Sequence, residues 1–142
     1  MRSLVISIAC FLGVALGASG SAARCLAYEP TPVTLEGTFT SRLLPGPPNY
    51  VSIARGDHPE TIYILALDEP ICVSGSPSSR MNAKSHARVT EIQLVDRGFT
   101  PGRFLQKRVL ISGSFFGAHT RHHRTPVVLN VAKIRAIPKD GA

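Results

Sequence analysis

Val33-Thr34-Leu35-Glu36-Gly37-Thr38-Phe39-Thr40-Ser41 alternates without a break. Val33, Leu35, Gly37 and Phe39 share one face, while Thr34, Glu36, Thr38 and Thr40 share the other. A period of two with β-branched and aromatic residues predicts a half-buried strand. Gly37, in its interior, predicts a bend or close backbone approach of the kind a small barrel needs at its corners.

Four further segments read as strands: 61–67 (Thr-Ile-Tyr-Ile-Leu-Ala-Leu), 89–95 (Val-Thr-Glu-Ile-Gln-Leu-Val), 107–117 and 126–134. Gly113 in the fourth repeats the position of Gly37 in the first. Glu69-Pro70 predicts a turn, with a short extended piece at 71–73. Residues 74–85, rich in Ser, Gly, Pro and Asn, predict a mobile surface insert. Around Gly102 there is room for one helical turn. No repeat and no long amphipathic helix is present. The order is strand, long loop, strand, strand, helical turn, strand, loop, strand. It predicts an all-β fold, a five-stranded OB-like Greek-key barrel, with a small β-sandwich as the alternative.

Residues 1–23 read as a signal peptide. Met1-Arg2 supplies a positive start, an apolar run follows at 4–18, and Ser21-Ala22-Ala23 offers a cleavage site. The expectation is a single domain at 24–142, periplasmic or secreted, with no stable membrane insertion after cleavage. Of three cysteines, Cys10 leaves with the signal. Cys25 and Cys72 remain as an even pair, which in an exported chain predicts a disulfide contributing up to about 4 kcal/mol. The net charge of +7 favours anionic partners. The arginines are scattered rather than clustered, so nucleic acid is not expected.

Two loops carry the polar chemistry. The first, 43–60, contains Pro45, Pro47, Pro48 and Pro59 with Asn49, Tyr50, Asp57, His58 and Glu60. Loops of this length in small domains are functional or disordered. The second is Ala118-His119-Thr120-Arg121-His122-His123-Arg124-Thr125-Pro126. In an OB-like barrel the loops after the first and fourth strands flank one ligand face, so both should meet at one rim.

The residues support three readings of that rim. His119, His122 and His123 could ligate zinc or copper, completed by Asp57, His58 or Glu60, although no recognised zinc spacing is present. Asn49, Tyr50, Asp57, Glu60, Thr120, Arg121, Arg124 and Thr125 could bind a small anion, a glycan or an exported protein, the arginines forking onto carboxylates. An enzyme would need a nucleophile. His122 with Asp57 could make a general base, but Ser52 has no elbow around it, so no enzyme is expected. The favoured expectation is a ligand- or partner-binding module using loops 45–60 and 118–126, with no certain cofactor.

Pro45-Gly46-Pro47-Pro48-Asn49-Tyr50, Gly56-Asp57, Pro59-Glu60, Pro70-Ile71-Cys72-Val73 and Phe116-Gly117-Ala118-His119-Thr120-Arg121-His122-His123-Arg124-Thr125-Pro126-Val127-Val128-Leu129 together resemble the bacterial domain-of-unknown-function family numbered 4431. The resemblance runs over nearly all of 24–142. It implies an exported protein with two cysteines and a His-His-x-Thr-Pro entry to its last strand. Arg124 stands where many members have a histidine, and Arg121 where a glycine is common. Both make this loop more cationic and weaken a metal reading. The family implies no activity.

Overall fold

The computed structural model describes residues 24–95 and 98–138. The segment read as a signal peptide lies outside the described residues. The fold is all-β. Its strands are β1 (Leu26–Ala27), β2 (Pro32–Pro45), β3 (Pro59–Ser74), β4 (His86–Val95), β5 (Arg108–Gly117) and β6 (Val127–Ala136). They form one six-stranded sheet in the order β1-β3-β2-β5-β6-β4, with β3 also pairing β4. The pairings therefore return on themselves from β3 through β2, β5, β6 and β4 to β3. All are antiparallel except β1–β3 and β4–β6, which are parallel.

The alternation of β2 is realised as read: Val33, Leu35 and Phe39 are buried and Thr34 and Glu36 exposed. Facing residues Leu65, Ile92, Val109, Ile111, Phe115, Val127 and Leu129 complete a core in which most side chains are fully buried. Removing this apolar area from water is the main favourable term of the fold. Below the core, a 3₁₀ turn at Pro101–Arg103 brings Phe99 and Phe104 against Phe39, at ring distances of 5.7 and 6.1 Å.

The two mid-strand glycines are there for backbone contact. A Cβ on Gly37 would lie 2.3 Å from the Ala66 carbonyl oxygen, and one on Gly113 would lie 2.1 Å from that of Asn130. The β5–β6 register shifts between Ser112 and Gly113, the local irregularity expected of a bulge.

Three expectations need correction. There are six strands, not five, because the chain just after Cys25 pairs with β3 (Leu26 with Val73) and Cys25 is disulfide-bonded to Cys72. Glu69-Pro70 does not turn the chain. β3 runs straight through, its register with β4 shifting between Ala66 and Ile71, so Pro70 falls in a break of the ladder where its missing N–H costs little. The first loop is also shorter than 43–60, because Leu44 pairs with Glu60 and Pro45 with Pro59.

The 74–85 segment is folded back on the protein. Ser76 N–H donates to Asn82 O at 2.7 Å, and the buried Asn82 side chain accepts from Gly117 N–H at 2.8 Å. No helix among the described residues is long and apolar enough to cross a membrane.

Candidate functional site at the rim of two loops

The loop between β2 and β3 is built on Asp57. This side chain is 4% exposed. Its oxygens accept backbone N–H bonds from Asn49 (2.8 Å), Val51 (2.7 Å) and Ser52 (2.8 Å). The donors at Ser52 and Val51, with Asn49, outweigh burial and hold the carboxyl at about 2. A carboxylate so engaged is a structural anchor. Asp57, expected among the ligand-binding residues, spends both oxygens on its own loop. Neighbouring His58 makes backbone bonds to Gly46 and Pro47, and its side chain is exposed.

The anchor sets the pose of Tyr50. Its N–H donates to Gly46 O at 2.9 Å, and its φ is 62°. A bulky residue in left-handed backbone is uncommon, and such positions persist where the surroundings over-determine them.

The second loop, between β5 and β6, hangs from Gln93 of β4. The buried Gln93 amide donates to His122 O at 2.9 Å and accepts from Arg124 N–H. Its backbone N–H donates to Thr125 Oγ1 at 2.8 Å, and that hydroxyl donates to Val127 O at 2.7 Å. Thr125 is buried and its hydroxyl is occupied on both sides by backbone. Thr120 is exposed and its carbonyl accepts from His123 N–H at 3.2 Å. Gln93 was not among the expected site residues. Its only signal was a polar residue between Ile92 and Leu94 in an apolar strand.

These supports bring the loops together. His122 Nδ1 bonds Glu60 Oε1, and His122 Nε2 lies 3.0 Å from Tyr50 Oη. Arg124 pairs with Glu60 Oε2 at 3.0 Å and also donates to Pro45 O. The Arg121 and Arg124 guanidinium carbons stand 5.0 and 5.2 Å from the Tyr50 ring centre, within cation–π range. Burial opposes ionisation of Glu60, but hydrogen bonds from His122 and Arg124 hold its carboxyl below the ordinary value. The carboxylate can only accept here, so His122 Nδ1–H donates to it, and in the neutral imidazole Nε2 accepts from the Tyr50 hydroxyl. Arg121 is exposed and pairs with no carboxylate among the described residues. Asn49 is exposed, its backbone N–H held by Asp57.

The three imidazoles do not converge. His122 faces Tyr50 and Glu60. His119 and His123 pack on each other at 4.6 Å and on Phe116 at 5.6 and 5.2 Å. His119 N–H donates to His123 Nδ1 at 3.2 Å, and His119 Nδ1 meets Gly117 O at 3.0 Å, so one nitrogen of each is already engaged. Among the described residues no group of three or more His, Cys, Asp or Glu could hold a metal ion. The zinc or copper set His119, His122 and His123 is not assembled. The reason is in their partners: His122 is taken up by Glu60 and Tyr50, whereas His119 and His123 pack on each other and on Phe116.

Residues 91–135 match the family model described as Domain of unknown function (DUF4431), which supports assigning the chain to that family. The match takes in the end of β4, β5, the histidine loop and most of β6. The proline-rich loop and both cysteines lie outside it. No curated protein and no solved structure matches the chain.

Proposed function

We propose that this DUF4431 chain is an exported, periplasmic or secreted binding module with no catalytic role, taking an anionic ligand at the rim where its two polar loops meet. The five strands β2 to β6 form the frame, an OB-like barrel. Support comes from their pairing order, from the return of β4 onto β3 and from the parallel β4–β6 contact. In that fold the loops after the first and fourth strands flank the ligand face, and here those are the proline-rich and histidine loops.

The observation that carries this reading is the position of Arg121. It is exposed, stacked on a fixed Tyr50 ring and free of any carboxylate among the described residues. Arg124, in contrast, is committed to Glu60 and Pro45. A guanidinium held in place yet unpaired offers a planar fork to an incoming carboxylate or phosphate. The Tyr50 hydroxyl, 3.0 Å from His122 Nε2, is a further hydrogen-bonding group at this rim. A small anion, a carboxylated glycan or an exported protein could present the anion.

Thermal melts in citrate and in trigalacturonate test this, with sodium chloride at matched ionic strength as the blank. The expected result is a rise in Tm with citrate or trigalacturonate that Arg121→Ala removes while leaving the unliganded Tm unchanged. A rise equal in wild type and Arg121→Ala, or none with either probe, overturns the reading.

A further inference from the structure

One strand edge is left open beside this rim. β4 pairs with β3 from His86 to Leu94, but with β6 only from Gln93 to Val95. On the side away from β3, residues 86–92 have no strand neighbour among the described residues. The histidine loop, which precedes β6, swings away there. Between them lies a groove of about 240 Å³. Arg88, Thr90 and Glu91 line it from the edge, Arg124 and Pro126 from the loop, and Arg42 from β2.

The lining is cationic. Of its three guanidiniums, Arg42 is held by Glu91 and Arg124 by Glu60, which leaves the charge of Arg88 uncompensated. Arg88 is exposed and pairs with no carboxylate among the described residues. Through Arg124 the groove is continuous with the rim. An open edge presents N–H and C=O groups at a spacing that another extended chain matches, and strand addition is a general mode of peptide recognition. The arginines repel a second copy of this edge and attract an acidic strand, so charge selects the occupant.

We propose that the groove takes an extended acidic peptide segment, which adds to the free edge of β4 as an extra strand and sets a carboxylate on Arg88. This rests on the anion-binding reading and names the partner as a protein rather than a glycan. Alternate residues of the peptide would turn their side chains to one face and their N–H groups to one neighbour.

The test is fluorescence anisotropy with a labelled Glu-Val-Glu-Val-Glu-Val peptide and two N-methylated versions, one on the glutamate nitrogens and one on the valine nitrogens. Strand addition predicts that one methylated version loses at least about tenfold in affinity while the other binds like the parent, since only one set of N–H groups faces β4. Arg88→Ala should weaken the parent by about tenfold. If both methylated peptides bind like the parent, charge alone holds them and strand addition is overturned, while anion binding stands. If no peptide binds although citrate still acts through Arg121, this inference alone falls. If neither peptide nor citrate nor trigalacturonate binds, both readings fall.

Discussion

Tyr50 and His122 are 72 residues apart in sequence, and Oη of one lies 3.0 Å from Nε2 of the other. The contact joins the β2–β3 loop to the β5–β6 loop, and Glu60 fixes it from behind by holding Nδ1. Glu60 also holds Arg124, with both side chains about one-fifth exposed. Arg124 Nε is itself buried without a hydrogen-bond partner, so its carboxylate matters more. Glu60→Gln should cost about 1–3 kcal/mol, because a largely buried guanidinium loses its counter-charge. Urea denaturation measures this. A midpoint equal to wild type would show that the ion pair adds nothing. His122→Ala, at an exposed position, should cost under about 1 kcal/mol.

The Cys25–Cys72 disulfide, with Cα atoms 4.6 Å apart and the two positions 47 apart in sequence, ties β1 to the end of β3. β1 is only two residues long and β3 is its one strand neighbour among the described residues, so the bond reinforces a short contact. Cys25→Ser with Cys72→Ser should lower stability by about 2–4 kcal/mol. Denaturant curves of the double variant and of wild type under reducing conditions should then coincide. An unchanged midpoint in both would remove the bond from the account of stability.

Much of the frame was legible because β2 writes its burial in a strict period of two, and because glycine in mid-strand has few explanations. β3 was harder. Pro70 is a local signal for a turn, and it is overridden by pairings with β1 and β4 that lie far away in sequence. The rim was legible in outline, since two unusual loops follow the first and fourth long strands. Its internal division was not. Asp57 reads as a surface carboxylate until three N–H groups of its own loop close on it. His122 and His123 are adjacent, so they read as one cluster until Glu60 and Tyr50 take one ring and Phe116 and His119 the other. Gln93 acts across the sheet, and its only local mark is a polar residue between Ile92 and Leu94.

Gly113 should be the least replaceable residue of β5. A methyl group there would meet the Asn130 carbonyl at 2.1 Å, and backbone cannot yield as a side-chain end can. Gly113→Ala should cost about 1–3 kcal/mol or more, with Gly37→Ala behaving alike against Ala66 O. Gly102→Ala makes the control, since a Cβ there meets nothing within 4 Å. Comparing the three melts decides the matter. Equal Tm values for Gly113→Ala and Gly102→Ala would contradict the close approach.

Stability should fall in two stages on acidification, and His123 should begin it. Burial lowers its pKa from the ordinary 6.5, helped by the nearby charges of His119 and His122. The unfolded chain therefore takes up this proton first. Its contribution is complete above 6.5 and declines as pH drops from there towards the lower folded value. In the neutral ring His123 Nδ1 accepts from His119 N–H, a contact that protonation at Nδ1 would replace with a donor facing a donor. The carboxylates come next. Glu60 is lowered from 4.5 and Asp57 from 3.8 to about 2. Each stabilises the fold above its unfolded value and loses that contribution as pH falls towards its folded one. Tm measured against pH should thus decline first below 6.5 and again below 4.5. His123→Phe keeps a ring on Phe116 but takes no proton, so it should flatten the first decline and leave the second. An unaltered first stage in that variant would assign it to another group.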